Sequence, residues 1–276
     1  MQMQRGTFSI LFIFIIGSLF SQEREETDTS RSEMLRYYDV APGMTYFFMR
    51  DEGMSPLIYQ GVNFTANSRI QWRNNKMRHG INYHFVYGNL KTQRYPTNPS
   101  LVENLRMELD HYYVRHTYED ESTGINVFLG GSVNVLGTMR SHQRFGNNAL
   151  NYDGVFSLNV NALAEYDFQL WSRDFELSYR VFIPVYGYVF RPSYATSVPG
   201  GFINQQGSDF RAALESGHHA TVNQFFRWNN TLELNYSLKN GNRLRLSYVW
   251  DYYSIAKTHP VKVAMHQVLI GTMFNF

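Results

Sequence analysis

The chain has 276 residues, of which 16% are aromatic, with no cysteine and a formal net charge of +2. The missing cysteine excludes disulfides, thiolate metal centres and a lipidated cysteine anchor, and a near-neutral charge without a basic run offers no footprint for nucleic acid. Mean hydropathy is only −0.37 despite 20 Tyr and 21 Phe, and beyond residue 22 no apolar run reaches the length of a membrane helix.

Residues 1–21 carry the marks of a secretory signal peptide. Arg5 supplies a positive charge, Ile10 to Ile16 form a short apolar core, and Gly17, Ser18 and Ser21 are the small residues ahead of a cleavage site. The core is too short to span a bilayer, so export with cleavage after Ser21 is expected. Residues 22–41 are rich in Glu, Arg, Ser and Thr and show no strand period. They are expected to form a tail, disordered or loosely helical.

Residues 42–276 read as strands throughout. In residues 155–170, Phe156, Leu158, Val160, Ala162, Ala164, Tyr166, Phe168 and Leu170 share one face. The opposite face is polar except for Leu163. A period of two over such a stretch is a strand signature that a helix would scatter. Phe175, Leu177, Tyr179, Val181, Ile183 and Val185 repeat the pattern after the short turn at Trp171–Asp174, which predicts a hairpin.

The same test predicts ten strands, at 42–51, 60–72, 78–90, 104–118, 124–137, 153–170, 174–190, 223–237, 243–253 and 262–276. Their connections alternate in length. Short turns fall at 73–77, 119–123, 172–173 and 238–242; longer loops fall at 52–59, 91–103, 138–152, 191–222 and 254–261.

The last strand ends in Val268, Ile270, Phe274 and Phe276 on one face, with an aromatic as the final residue. This ending resembles the closing strand of a bacterial outer-membrane β-barrel, in which Phe274 and Phe276 would belong to the signal read by the insertion machinery. The resemblance implies an all-β fold: a closed antiparallel up-and-down transmembrane barrel with short periplasmic turns, long external loops and aromatic girdles at both interfaces. It implies that the tail 22–41 is periplasmic and the barrel spans 42–276. Expected partners are outer-membrane lipid, the insertion machinery and other outer-membrane or periplasmic proteins. No cofactor and no metal is expected.

Parity then assigns the interior. Arg69, Arg106, Glu108, Asp110, Glu165, Asp167, Glu176, Arg180, Arg227, Glu233, Arg243, Arg245 and Asp251 fall on the inward face. A ten-strand barrel is narrow once long side chains fill it. Opposite charges there are expected to pair, because unpaired burial is costly. The favoured function is therefore a structural, docking or accessory barrel without catalytic activity.

Two alternatives stand beside it. A narrow channel or transporter for small molecules would use the polar lumen. An outer-membrane protease or lipid hydrolase would use rim residues, and the chain is similar to the omptin proteases in strand number and size. Candidates in the loops are Ser141-His142, Ser216-Gly217-His218-His219, and Asp209 and Glu215 beside that histidine pair. The 191–222 loop is far longer than usual connections, and its Phe202, Ile203, Phe210 and Leu214 suit a lid or a docking patch.

Overall fold

The computed structural model describes residues 34–92, 100–142, 149–191, 217–257 and 259–276. The signal segment and residues 22–33 lie outside them.

Alternating side chains become eleven strands: β1 (Leu35–Asp51), β2 (Ser55–Arg73), β3 (Met77–Thr92), β4 (Leu101–Asp120), β5 (Ile125–Ser141), β6 (Leu150–Leu170), β7 (Arg173–Phe190), β8 (His218–Ala220), β9 (Phe225–Ser237), β10 (Arg243–Ile255) and β11 (Val261–Asn275). Ten of them form a closed ring of antiparallel neighbours. β1 pairs with β11, β6 pairs with β7, and β7 continues to β9. The three-residue β8 is an extra strand on the outer end of β7.

The expected ten-strand barrel is thus the observed one, with differences at strand ends: β5 runs on to Ser141 and β6 begins at Leu150, inside the loop expected at 138–152. β1 begins at Leu35, inside the segment read as a tail, because Tyr37 to Asp51 alternate inward while pairing on both sides. The loop expected at 52–59 shrinks to residues 52–54, since β2 starts at Ser55. The loop expected at 191–222 contains β8, whose His218 to Ala220 pair with Val189 to Gly187.

Burial follows parity around the ring. On β4, Val102, Asn104, Arg106, Glu108 and Asp110 are buried, whereas Leu101, Met107 and Tyr113 are exposed on the outer wall. Leu158, Leu177 and Leu246 are likewise exposed, as an apolar outer wall requires. Leu163, the one exception on the polar face of β6, packs inside with Val114 and Phe128. The alternation on β7 holds to Ile183 and then slips by one. Tyr186 faces Leu158 while Pro184 faces Asn159, so Val185 forms a bulge.

Aromatics cluster at both ends of the wall. Trp72 and Phe274 lie toward the short turns; Trp228, Trp250 and Tyr252 lie toward the long loops. At the β1/β11 seam the strands meet so closely that a Cβ on Gly43 would lie 2.1 Å from the Val268 carbonyl oxygen. Only glycine permits that contact.

Candidate functional site: a closed, ion-paired interior

The interior is arranged in layers along the strands. In the half nearer the long loops, Phe47, Met49, Leu90, Leu136, Ile255 and Val263 belong to one fully buried apolar cluster. It is not legible in any one segment, because its members come from many separate strands.

A charged cap sits at the same end. Arg140 donates to Asp51 at 2.9 Å, lies 2.7 Å from Asp153 and reaches the Tyr253 hydroxyl at 2.9 Å. Arg191 bridges Asp51 and Asp153 as well, and Asn151 donates to Asp51 at 3.0 Å. Two arginines thus face two carboxylates.

Deeper in the barrel a second set is equally balanced. Arg106 donates to Glu108 at 2.7 Å and to Asp251 at 2.6 Å. Arg227 reaches Asp251 at 2.7 Å, Glu108 at 2.7 Å and Asn134 at 3.2 Å. These four charges come from β4, β9 and β10 and meet across the lumen.

Toward the short turns, Arg69 and Arg245 share Glu233, each at 3.0 Å, and Arg245 reaches Asp39 at 2.7 Å. Arg180 donates to Asp110 at 2.7 Å and lies 4.1 Å over the Tyr112 ring. That ring occupies the space a side chain at Gly80 would need. At the end, Glu176 accepts from Arg73 and Arg243, and Glu165 from Arg78.

Every interior cation in these sets is arginine. Its planar fork serves two carboxylates at once, which a lysine point charge cannot do. The lysines of the described chain sit instead in turns or near strand ends: Lys76, Lys91, Lys239, Lys257 and Lys262.

Of the thirteen interior residues assigned by parity, twelve join these sets. Asp167 shares the parity but is exposed near the end of β6, and it is the correction to that group. Sequence reasoning missed Asp39, Asp51, Arg73, Arg78, Arg140, Asp153 and Arg191. Asp39 was hidden in the supposed tail. Arg73, Arg140 and Arg191 stood in supposed turns or loops, although continuing the parity three residues past the strand ending at 137 would have found Arg140; Asp51, Arg78 and Asp153 stood at the ends of expected strands.

Between the deeper charged sets lies a polar cavity of about 100 Å³, lined by Asn67, His84, Asp110, Arg180, Thr231 and Gln267 among others. That is room for several waters. The apolar cluster and charged cap occupy the interior on its long-loop side.

Among the described residues, the rim candidates do not assemble. His218 and His219 are consecutive on β8, so their rings leave opposite faces and cannot share one ion. His219 contacts the Tyr186 hydroxyl and packs edge-on to Tyr188. Partial burial, then Lys257 and His219, holds His218 below its usual pKa. Asp209, Glu215 and Ser216 lie outside the described residues. His142 bonds Ser100 rather than Ser141, and its buried ring stands edge-on to Tyr59, above the apolar layer. Among the described residues there is no group of three metal-ligating side chains. Phe274 is exposed on β11 and Phe276 is exposed just past its end.

A closed ring of ten antiparallel strands, apolar outside and ion-paired inside, defines the class: the fold is that of the bacterial outer-membrane β-barrels. Within it, the chain belongs to the family described as "Protein of unknown function (DUF3316)", whose model matches residues 8–276. The outer-membrane protease OmpT of Escherichia coli is similar in structure, with TM-score 0.54 and 9% identity over 90% of this chain and 100% of that one. Neisserial surface protein A matches at TM-score 0.35 and 13% identity over 87% and 97% of the two chains. The P. putida toluene transporter TodX matches at TM-score 0.32 and 8% identity over 90% and 91%. At these identities the likeness is one of fold. No curated protein matches the chain in sequence.

Proposed function

We propose that the chain is exported by its cleaved N-terminal signal, spans the bacterial outer membrane with short turns in the periplasm and long loops outside, and acts as a non-conducting structural or docking component of a surface assembly. The observation that carries this reading is the filled interior. An apolar layer and a charged cap occupy the external half, and arginines pair with carboxylates in every set below them. Open diffusion belongs to barrels of about sixteen strands. The described rim residues suited to hydrolysis, His142, His218 and His219, do not converge, which favours docking over catalysis. The barrel reconstituted in planar bilayers should show no conductance steps, and it should co-purify from native membranes with a stoichiometric partner. Steady conductance in the wild type would instead support the narrow-channel alternative, for which the polar cavity is the one favouring feature. Peptide or lipid hydrolysis by the purified barrel that is lost on His142→Ala would support the enzyme alternative. Mass analysis of the mature N-terminus checks cleavage after Ser21.

A further inference from the structure

The outer wall carries a shallow groove, mostly apolar, with several hydrogen-bonding groups set into it. Tyr179, Asn230, Leu232, Tyr248, Trp250 and His266 line it, across β7, β9, β10 and β11. Its polar atoms are held in a defined arrangement. The Tyr179 hydroxyl donates to Asn230 Oδ1 at 2.6 Å, and the indole N–H of Trp228 donates to the same oxygen at 2.8 Å. With Oδ1 so engaged, the Asn230 amide N–H₂ remains to donate outward. The Tyr248 hydroxyl meets His266 Nδ1 at 2.7 Å, which leaves the Nε2 side of that ring facing away from its partner.

The depth of the groove is informative. Below it on the same strands lie Leu234, Leu246, Val268 and Ile270, which are apolar and outward. Above it lie Phe226, Tyr252 and the Trp228 ring. The polar atoms thus sit just beneath the upper aromatic girdle, the depth at which lipid acyl linkages meet hydrocarbon. A donor left unmatched at that depth is costly, and a lipid carbonyl would satisfy it.

Above the same seam stand two cations. Lys262 precedes His266 by four residues on β11, roughly 10 Å further toward the long loops for a tilted strand. Its cross-strand neighbour is Arg50. Both are exposed, and Arg50 also pairs with Glu52 at 3.0 Å.

We infer that this seam binds one phosphorylated, multiply acylated glycolipid of the outer leaflet. Asn230 and His266 donate to its acyl-linkage carbonyls, Lys262 and Arg50 hold its phosphate, and the Trp250 and Trp228 indoles pack against its sugar. The indoles are the reason to choose a glycolipid over a glycerophospholipid, because a flat aromatic face suits a sugar ring. The inference rests on the membrane-spanning orientation proposed above.

The test uses the whole barrel, delipidated in detergent and titrated with diphosphorylated lipid A, with bound lipid counted by native mass spectrometry. One molecule should remain bound to the wild type. Asn230→Leu combined with His266→Leu should weaken retention at least tenfold. Lys262→Gln should weaken it severalfold, with no such effect on dephosphorylated lipid A. His266→Gln, which keeps a donor, should retain more lipid than His266→Leu. A heat-modifiable gel shift confirms that each variant is folded; if the double variant does not fold, the Lys262→Gln and His266→Gln arms carry the result. Equal retention by wild type and folded variants would overturn the site. Tighter binding of phosphatidylglycerol than of lipid A, lost in the same variants, would overturn the choice of glycolipid. Failure of the wild type to enter any bilayer would overturn the orientation on which both depend.

Discussion

Arg106 and Asp251 are separated by 145 positions in sequence and meet at 2.6 Å in the middle of the barrel, both closed off from solvent. They hold β4 to β10 across the lumen, and neither strand neighbours the other in the wall. Arg106→Met leaves its set with one excess negative charge. Breaking one partner of a buried ion pair costs about 3–5 kcal/mol, and the folded barrel should lose stability of that order in urea titration. The double variant Arg106→Met with Asp251→Leu keeps Arg227 opposite Glu108 and should recover much of the loss. A double variant no better than the single would contradict the balanced-set account.

Arg227 has three acceptors: Asn134, Glu108 and Asp251. A lysine keeps the charge and loses the fork. With each hydrogen bond to a charged group contributing about 1.5–3 kcal/mol, Arg227→Lys should destabilise the barrel by at least about 2 kcal/mol in the same titration. A neutral outcome would mean that charge alone, without geometry, holds the interior.

The seam between β1 and β11 closes the ring, and its contact at Gly43 is against backbone. The Val268 carbonyl cannot swing aside as a side chain can. Gly43→Ala should therefore slow or prevent closure, seen as loss of the heat-modifiable folded band, with about 1–3 kcal/mol of overpacking in any barrel that forms.

The β6–β7 hairpin turns on Trp171 and Ser172, with φ of 49° and 56°. Both residues occupy a region that costs an L-residue roughly 1–2 kcal/mol and suits glycine. Ser172→Gly should stabilise the barrel by about 1 kcal/mol and speed hairpin formation in refolding kinetics. Loss of stability would show that the Ser172 side chain makes a compensating contact.

The wall was legible in the sequence because parity is a local property. Leu105, Arg106, Met107 and Glu108 announce their faces from four consecutive letters. Pairing across the lumen was not legible. Arg78 meets Glu165 across 87 positions, and that meeting depends on how far each strand is sheared against the next, which no window contains. Strand ends were the weakest point. Asp39 and Arg73 lie in regular strands, but the first follows a polar stretch and the second precedes Asn74-Asn75, so each looked like tail or turn. The pairing of His142 with Ser100 joins the ends of β5 and β4, and sequence adjacency pointed to Ser141 instead.

The protein has no cysteine, so single cysteines placed along β11 report each position without interference. In proteoliposomes, cysteines at Val268 and Ile270 should resist a charged thiol reagent from either side and react with a hydrocarbon-soluble maleimide. Cysteines at Met265 and Val263, inside the apolar layer, should resist the charged reagent added from the long-loop side. Ready labelling of Val268 and Ile270 by the charged reagent would contradict a lipid-facing outer wall, and labelling of Met265 from outside would contradict a closed interior.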